Sequence, residues 1–213
     1  NYFRKLGLEK MIQWQKQTLE KFGVSFDNWF YESELHKNKE VEEAFARIEK
    51  RGLFKEEEGA VWFKTTEFGD DKDRVVKKQD GQFTYFASDI AYMLNKFEKR
   101  GFDRVINILG PDHHGYIKRM EAIVQGLGYE KEKLNVIILQ QVNLMENGEK
   151  VKMSKRAGKI AALDDLIEEV GKDAARYFFI MRNFNSHLDF DIELAKEQSD
   201  KNPVFYVQYA YAR

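Results

Sequence analysis

The chain has 213 residues, 43% of them apolar and 14% aromatic, enough to bury a sizeable core as one large domain or one domain with an appendage. Its 35 basic and 36 acidic residues nearly cancel, so no overall positive field marks it for nucleic acid, and any such contact must come from local patches. The absence of cysteine excludes disulfides and thiolate metal sites and fits a reducing, cytoplasmic setting, and no apolar run approaches the roughly 20 residues of a membrane helix.

In chain order, apolar residues at Leu8, Met11, Ile12, Leu19 and Phe22 predict an amphipathic helix over 6–22, stopped by Gly23. Residues 24–31 are aromatic and strand-like. Val41, Ala44, Phe45 and Ile48 predict a second helix closed by Gly52, and 60–63 reads as a short strand. The polar stretch 67–73 interrupts the pattern and sets a boundary near residue 75. Beyond it a helix over 85–100, an apolar strand over 104–109, a helix over 115–127 and an apolar strand over 136–139 alternate. Continuous apolar strands separated by helices indicate βαβ units. The expected fold class is therefore α/β, a partial doubly wound (Rossmann-like) parallel sheet. After Gly158 the pattern is read as helical to the end, through 163–170, 174–181 and the aromatic run 205–211.

Three stretches carry chemistry. After the second apolar strand comes a basic segment with Lys150, Lys152, Met153, Ser154, Lys155, Arg156 and Lys159. A basic run is commonly just a solvated loop. This one follows a buried parallel strand, on the side where open α/β sheets place their ligand crevice. Ammonium groups there would stabilise charge building on phosphoryl oxygens in a transition state, and lysine suits that role as a mobile point charge. Gly148 and Gly158 flank the segment as possible hinges.

Earlier, Tyr85 and Asp89 stand four residues apart and share a helix face. A carboxylate accepts a planar guanidinium in bidentate fashion, and a nearby ring adds a polar tip or a cation–π face. A helix-start aspartate beside a core tyrosine is the alternative reading. Between the two stretches lies Gly110-Pro111-Asp112-His113-His114, entering a helix from a strand end. Gly110 allows close backbone approach there, and Asp112 is placed to bond ribose hydroxyls. His113 and His114 make a poor metal site, because the other two histidines are His36 and His187 and four zinc ligands are not in prospect.

The Lys152-Met153-Ser154-Lys155 string resembles the KMSKS signature of class I aminoacyl-tRNA synthetases, with Arg156 where the final serine stands. With Tyr85, Asp89 and the Gly-x-Asp-His-His block, the resemblance is to arginyl-tRNA synthetases, running from about residue 27 to the end. It also takes in Asp173 to Phe179, Leu188 to Asp191 and Asn202 to Arg213. Cysteinyl enzymes carry paired histidines too, but the Tyr85 and Asp89 segment disfavours them.

The resemblance implies an arginine–tRNA ligase that uses ATP, as MgATP, to make arginyl-adenylate and passes the arginyl group to tRNA(Arg). Lys152 and Lys155 would be catalytic. Gly110, Asp112, His113, Lys152, Met153, Ser154 and Lys155 would bind ATP, and Tyr85, Asp89 and His113 would bind arginine. It implies no protein-ligated metal, no membrane and a monomeric parent.

It also divides the chain into a connective insertion of the catalytic domain (1–75), the second half of the nucleotide-binding fold with its lysine loop (76–160), and a mostly helical segment leading to the anticodon-binding domain (161–213). The second signature of class I enzymes, His-x-Gly-His, is absent from the 213 residues. An internal fragment, inactive by itself, is therefore expected. The competing readings are another class I synthetase or nucleotidyl transferase, and a non-catalytic tRNA-binding or regulatory paralogue.

Overall fold

The computed structural model describes residues 2–151 and 162–213. Contacts gather the chain into two units, one formed by Asn1–Asn28 with Gln140–Arg213 and the other by Trp29–Leu139.

The first unit begins with helix α1 (Tyr2–Lys21). It starts earlier than its apolar spacing predicts, and Leu8, Met11 and Trp14 on it are about half exposed. A polar clamp holds its end: Trp14 Nε1 and Lys21 Nζ each donate to the Asp164 carboxylate at 2.9 Å, and the Thr18 hydroxyl donates to it as well. Gly23, at φ +73°, stops the helix. The Gly23 amide bonds back to Glu20 and the Val24 amide to Leu19, which satisfies two terminal carbonyls.

Residues 24–31, where a strand was expected, are irregular, and the second unit continues from Trp29 into helices α2 (Glu32–Lys37) and α3 (Glu40–Lys50). Val41, Ala44 and Ile48 recur at three- and four-residue spacing and are fully buried, which fixes the inner face of α3. Strands β1 (Phe54–Glu57), β2 (Ala60–Phe63) and β3 (Arg74–Lys77) form an antiparallel sheet in that order. The polar stretch at 67–73 lies inside this unit, because β3 pairs across it with β2, Phe63 opposite Arg74 and Trp62 opposite Val75.

Helix α4 (Tyr85–Leu94) follows and runs on into a wide π-helical turn, Asn95–Lys99. Then come β4 (Val105–Leu109), a tight 3₁₀ turn at Pro111–His113, α5 (Tyr116–Gly126) and β5 (Leu134–Ile138). β4 and β5 pair in parallel from Val105 opposite Leu134 to Leu109 opposite Ile138. That is the βαβ unit the apolar rhythm predicts. Phe63, Phe86, Ile90, Met93, Ile123 and Leu127 form the heart of its core.

Returning to the first unit, β6 (Val142–Glu146) turns into the two-residue β7 (Glu149–Lys150). The turn residues Asn147 and Gly148 have φ +52° and +77°, the left-handed pair that a two-residue hairpin needs. The Asn147 amide donates to Glu193 Oε2 at 3.0 Å, which braces the turn.

Helices α6 (Leu163–Val170) and α7 (Lys172–Ile180) precede β8 (Leu188–Asp191), then α8 (Ile192–Lys196) and α9 (Pro203–Ala212). β8 corrects the expectation of an all-helical carboxyl-terminal third. It pairs in parallel with β6, and Leu188 and Phe190 point inward while Asp189 is exposed, a period of two. Leu166, Ala175, Phe178, Phe190 and Val204 build this unit's core. On α9, Tyr206, Tyr209 and Tyr211 are exposed.

Candidate substrate cleft

One face of α4 with its π-helical turn, strand β4 and the first turns of α5 line a cavity of about 480 Å³, inside the range of about 300–1,000 Å³ typical of small-ligand sites. Tyr85, Asp89 and His113, three residues picked out from the sequence, all line it. The α4 backbone explains the first two. Thr84 is extended at the helix start and its hydroxyl donates to the Val75 carbonyl at 2.8 Å, tying α4 to β3 and setting Tyr85 as the first helical residue. Asp89 follows one turn later on the same face. Tyr85 is 71% exposed and Asp89 half-buried, a ring at the rim and a carboxylate further in.

Asp89 is not bare. The Tyr116 hydroxyl, arriving from α5, donates to its Oδ2. Burial pushes the Asp89 carboxyl above the ordinary carboxylate range. The Tyr116 bond and the positive charges of Arg119 and Lys96 pull it back only in part, while Glu32 adds to the rise. Burial and the same bond drive the Tyr116 phenol well above its usual range, so its proton stays in place. Arg119 sits over the Tyr116 ring at 4.4 Å, one turn further along α5. Asp89 is thus oriented by a donor and a cation before any ligand arrives.

His113 lies in the 3₁₀ turn after β4, with its Nδ1 3.0 Å from Asp112 Oδ1 and its ring edge-on to Tyr116 at 6.1 Å. Gly110 and Asp112 stand beside His113 in the chain but do not line the cavity. Gly110 has an ordinary extended backbone, φ −75°, so no left-handed conformation requires glycine. A Cβ there would meet Asp112 Oδ1 at 3.0 Å, a close approach. Lys152, Met153, Ser154 and Lys155 lie outside the described residues.

Several lining residues escaped the sequence reading. Lys96 and Tyr92 sit seven and three residues after Asp89, a helical spacing that could have flagged them. Tyr116 gave no local signal, since 27 residues separate it from Asp89.

Residues 1–193 match the family model for tRNA synthetases class I (R), catalytic domain. The chain belongs to this family. Across its whole length it is 55% identical to arginine–tRNA ligase 1 of Halalkalibacterium halodurans and 52% identical to arginine–tRNA ligase of Bacillus subtilis, spanning 38% of each. Among solved structures, one from Campylobacter jejuni described as an arginyl tRNA synthetase superposes with TM-score 0.89 at 37% identity, covering 96% of this chain and 44% of that one. The Thermus thermophilus arginyl-tRNA synthetase shares the fold at TM-score 0.79 and 18% identity, with 98% and 45% coverage. The α/β class and the class I synthetase assignment of the sequence reading stand. Among the described residues no helix is long and apolar enough to cross a membrane.

Proposed function

We propose that this chain supplies the amino-acid pocket and part of the nucleotide site of an arginine–tRNA ligase, which activates arginine with ATP and transfers it to tRNA(Arg). The observation that carries this is Asp89, a half-buried carboxylate pre-oriented by Tyr116 at the inner end of a cavity with an aromatic rim at Tyr85. An arginine side chain laid along that cavity meets a carboxylate matched to its planar fork, with ring faces along the way.

In this reading the α-carboxylate of arginine is itself the nucleophile toward the α-phosphorus of ATP. The protein contributes positioning and charge. His113, between the arginine pocket and the strand end, would meet the ligand where amino acid and nucleotide join. Gly110 and Asp112 lie on the nucleotide side, with Lys152, Met153, Ser154 and Lys155 closing over the phosphates and Lys152 and Lys155 stabilising the transition state. ATP enters as its magnesium complex, a substrate and not a resident cofactor. Residues 161–213 would lead toward the tRNA-anticodon-binding part, and 1–75 would be a connective region. Because no His-x-Gly-His occurs in the 213 residues, these residues alone would turn over little. ATP–pyrophosphate exchange by the full-length protein with tRNA present tests the assignment. Exchange should depend on arginine, and exchange driven by cysteine or methionine instead would overturn it.

A further inference from the structure

Among the described residues, Tyr116 is the one hydrogen-bond donor to the Asp89 carboxylate. Glu32 on α2 brings a second negative charge near Asp89, but an ionised carboxylate donates no hydrogen bond and so does not set the plane of Asp89. Nor does the helix. The last torsion of an aspartate is broad, so the α4 backbone decides where the carboxylate sits and not which way it faces. A planar guanidinium fork meets both oxygens only when the two planes agree, whereas an ammonium, a point charge, tolerates any of them.

The orientation reaches Asp89 from α5. A phenol O–H lies in the plane of its own ring, so the line along which Tyr116 donates follows from how that ring is held. Two groups hold it. His113 meets the ring edge-on with centroids 6.1 Å apart, and the Arg119 guanidinium stands on the ring face, 4.4 Å from the centroid. Tyr116 and Arg119 are three residues apart on α5 and so are neighbours on one side of the helix. Arg119 Nε is buried and has no hydrogen-bond partner among the described residues, so the edge of the guanidinium that a carboxylate would ordinarily take is unused. The cation is committed to the ring face instead.

We propose that Arg119 is a positioning residue for the cationic ligand of this cavity: from the ring face it fixes the plane of Tyr116, hence the line of the O–H and the plane of the Asp89 carboxylate that receives the guanidinium fork. Arg119 does not itself line the cavity, so it acts through Tyr116 and not by touching the ligand. The proposal rests on the arginine reading above.

A double-mutant cycle in the full-length protein, read by calorimetric titration with L-arginine, tests this relay. Methionine at position 119 keeps an unbranched stem and the helix propensity while removing the cation. Arg119→Met should raise the arginine Kd by about three- to tenfold, within the range of a partly buried cation–π contact. In a Tyr116→Phe background the ring under Arg119 is kept and the O–H is gone, so the same substitution should change Kd by less than about twofold. Arg119→Lys, which keeps a charge over the ring, should stay within about threefold of the unsubstituted protein. An equal loss on removing Arg119 with and without the Tyr116 hydroxyl, no loss in either background, or a loss in Arg119→Lys as large as in Arg119→Met overturns the proposal and leaves the arginine reading intact. No arginine binding by the unsubstituted protein overturns that reading and the proposal with it.

Discussion

Replacing Asp70 by Asn tests the buried ion pair at the start of β3. The Asp70 carboxylate accepts Arg74 Nε at 2.8 Å, Arg74 Nη2 at 2.9 Å and the Asp71 amide at 2.9 Å. Its side chain is 1% exposed and that of Arg74 13%. Burial pushes the Asp70 carboxyl up, but the Arg74 fork, Asp71 and Thr65 together outweigh it and hold the group at about 2. In the unfolded chain an aspartate titrates near about 3.9, so the folded value is the depressed one. Its stabilisation is fully present above the unfolded value and is lost as pH falls through the folded one.

The shift of nearly two pH units corresponds to about 2.5 kcal/mol at neutral pH, and to about half of that near pH 3. Exposed Asp71 also takes a hydrogen bond from Arg74, which keeps the cost of the substitution below the upper range for a broken buried pair. Asp70→Asn should therefore lose about 2–3 kcal/mol at about pH 7, and the gap to the unsubstituted protein should shrink by roughly half at about pH 3. Urea unfolding followed by tryptophan fluorescence reads this, since Trp62 pairs with Val75, next to Arg74. Equal midpoints at neutral pH, or a gap that does not change on acidification, would refute the reasoning.

Three further outcomes are expected from the packing, the cleft and the proposed function. Gly126→Ala places a Cβ 2.3 Å from Cζ of the fully buried Phe63. The overpacking cost of about 1–3 kcal/mol should exceed the helix-propensity gain of up to about 1 kcal/mol, and thermal melting should show a lower Tm. Tyr116→Phe removes the hydroxyl that orients Asp89, a bond to a charged group worth about 1.5–3 kcal/mol, so on the proposed arginine reading KM for arginine should rise at least about tenfold while kcat changes little in steady-state aminoacylation by the full-length protein. Asp89→Ala should weaken arginine binding itself, whereas Lys155→Ala should depress adenylate formation with arginine binding retained. Single-turnover rates set beside equilibrium binding separate the two, and an unchanged activation rate in Lys155→Ala would sink the lysine-loop assignment.

The parts of the fold legible in the sequence were those whose signal is local. The apolar runs that became β4 and β5 read correctly as paired parallel strands, but not as fully covered ones: Ile106 and Ile108 on β4 are more than half exposed. The fully buried stripe Val41, Ala44, Ile48 announced α3 by its spacing. β8 was missed because Leu188-Asp189-Phe190-Asp191 shows only two cycles of alternation, too few to separate from a polar connection until β6 is beside it. The Asn147-Gly148 turn carried the strongest short hairpin signal in the chain, yet the basic residues after it drew the reading toward a loop.

The cleft divides along the same line. Tyr85 and Asp89 were legible because one helical turn converts their spacing into a shared face, and Lys96, two turns on, was legible by that logic and overlooked. Tyr116 was not, because only the passage from β4 through the 3₁₀ turn into α5 carries its hydroxyl to Asp89. That contact alters what the helix pair means. Tyr85 and Asp89 alone describe a carboxylate that any cation satisfies. With Tyr116 donating to Oδ2, the carboxylate is oriented by a side chain from a second helix before any ligand enters, and it reads as a directed acceptor instead of a plain helix-face charge.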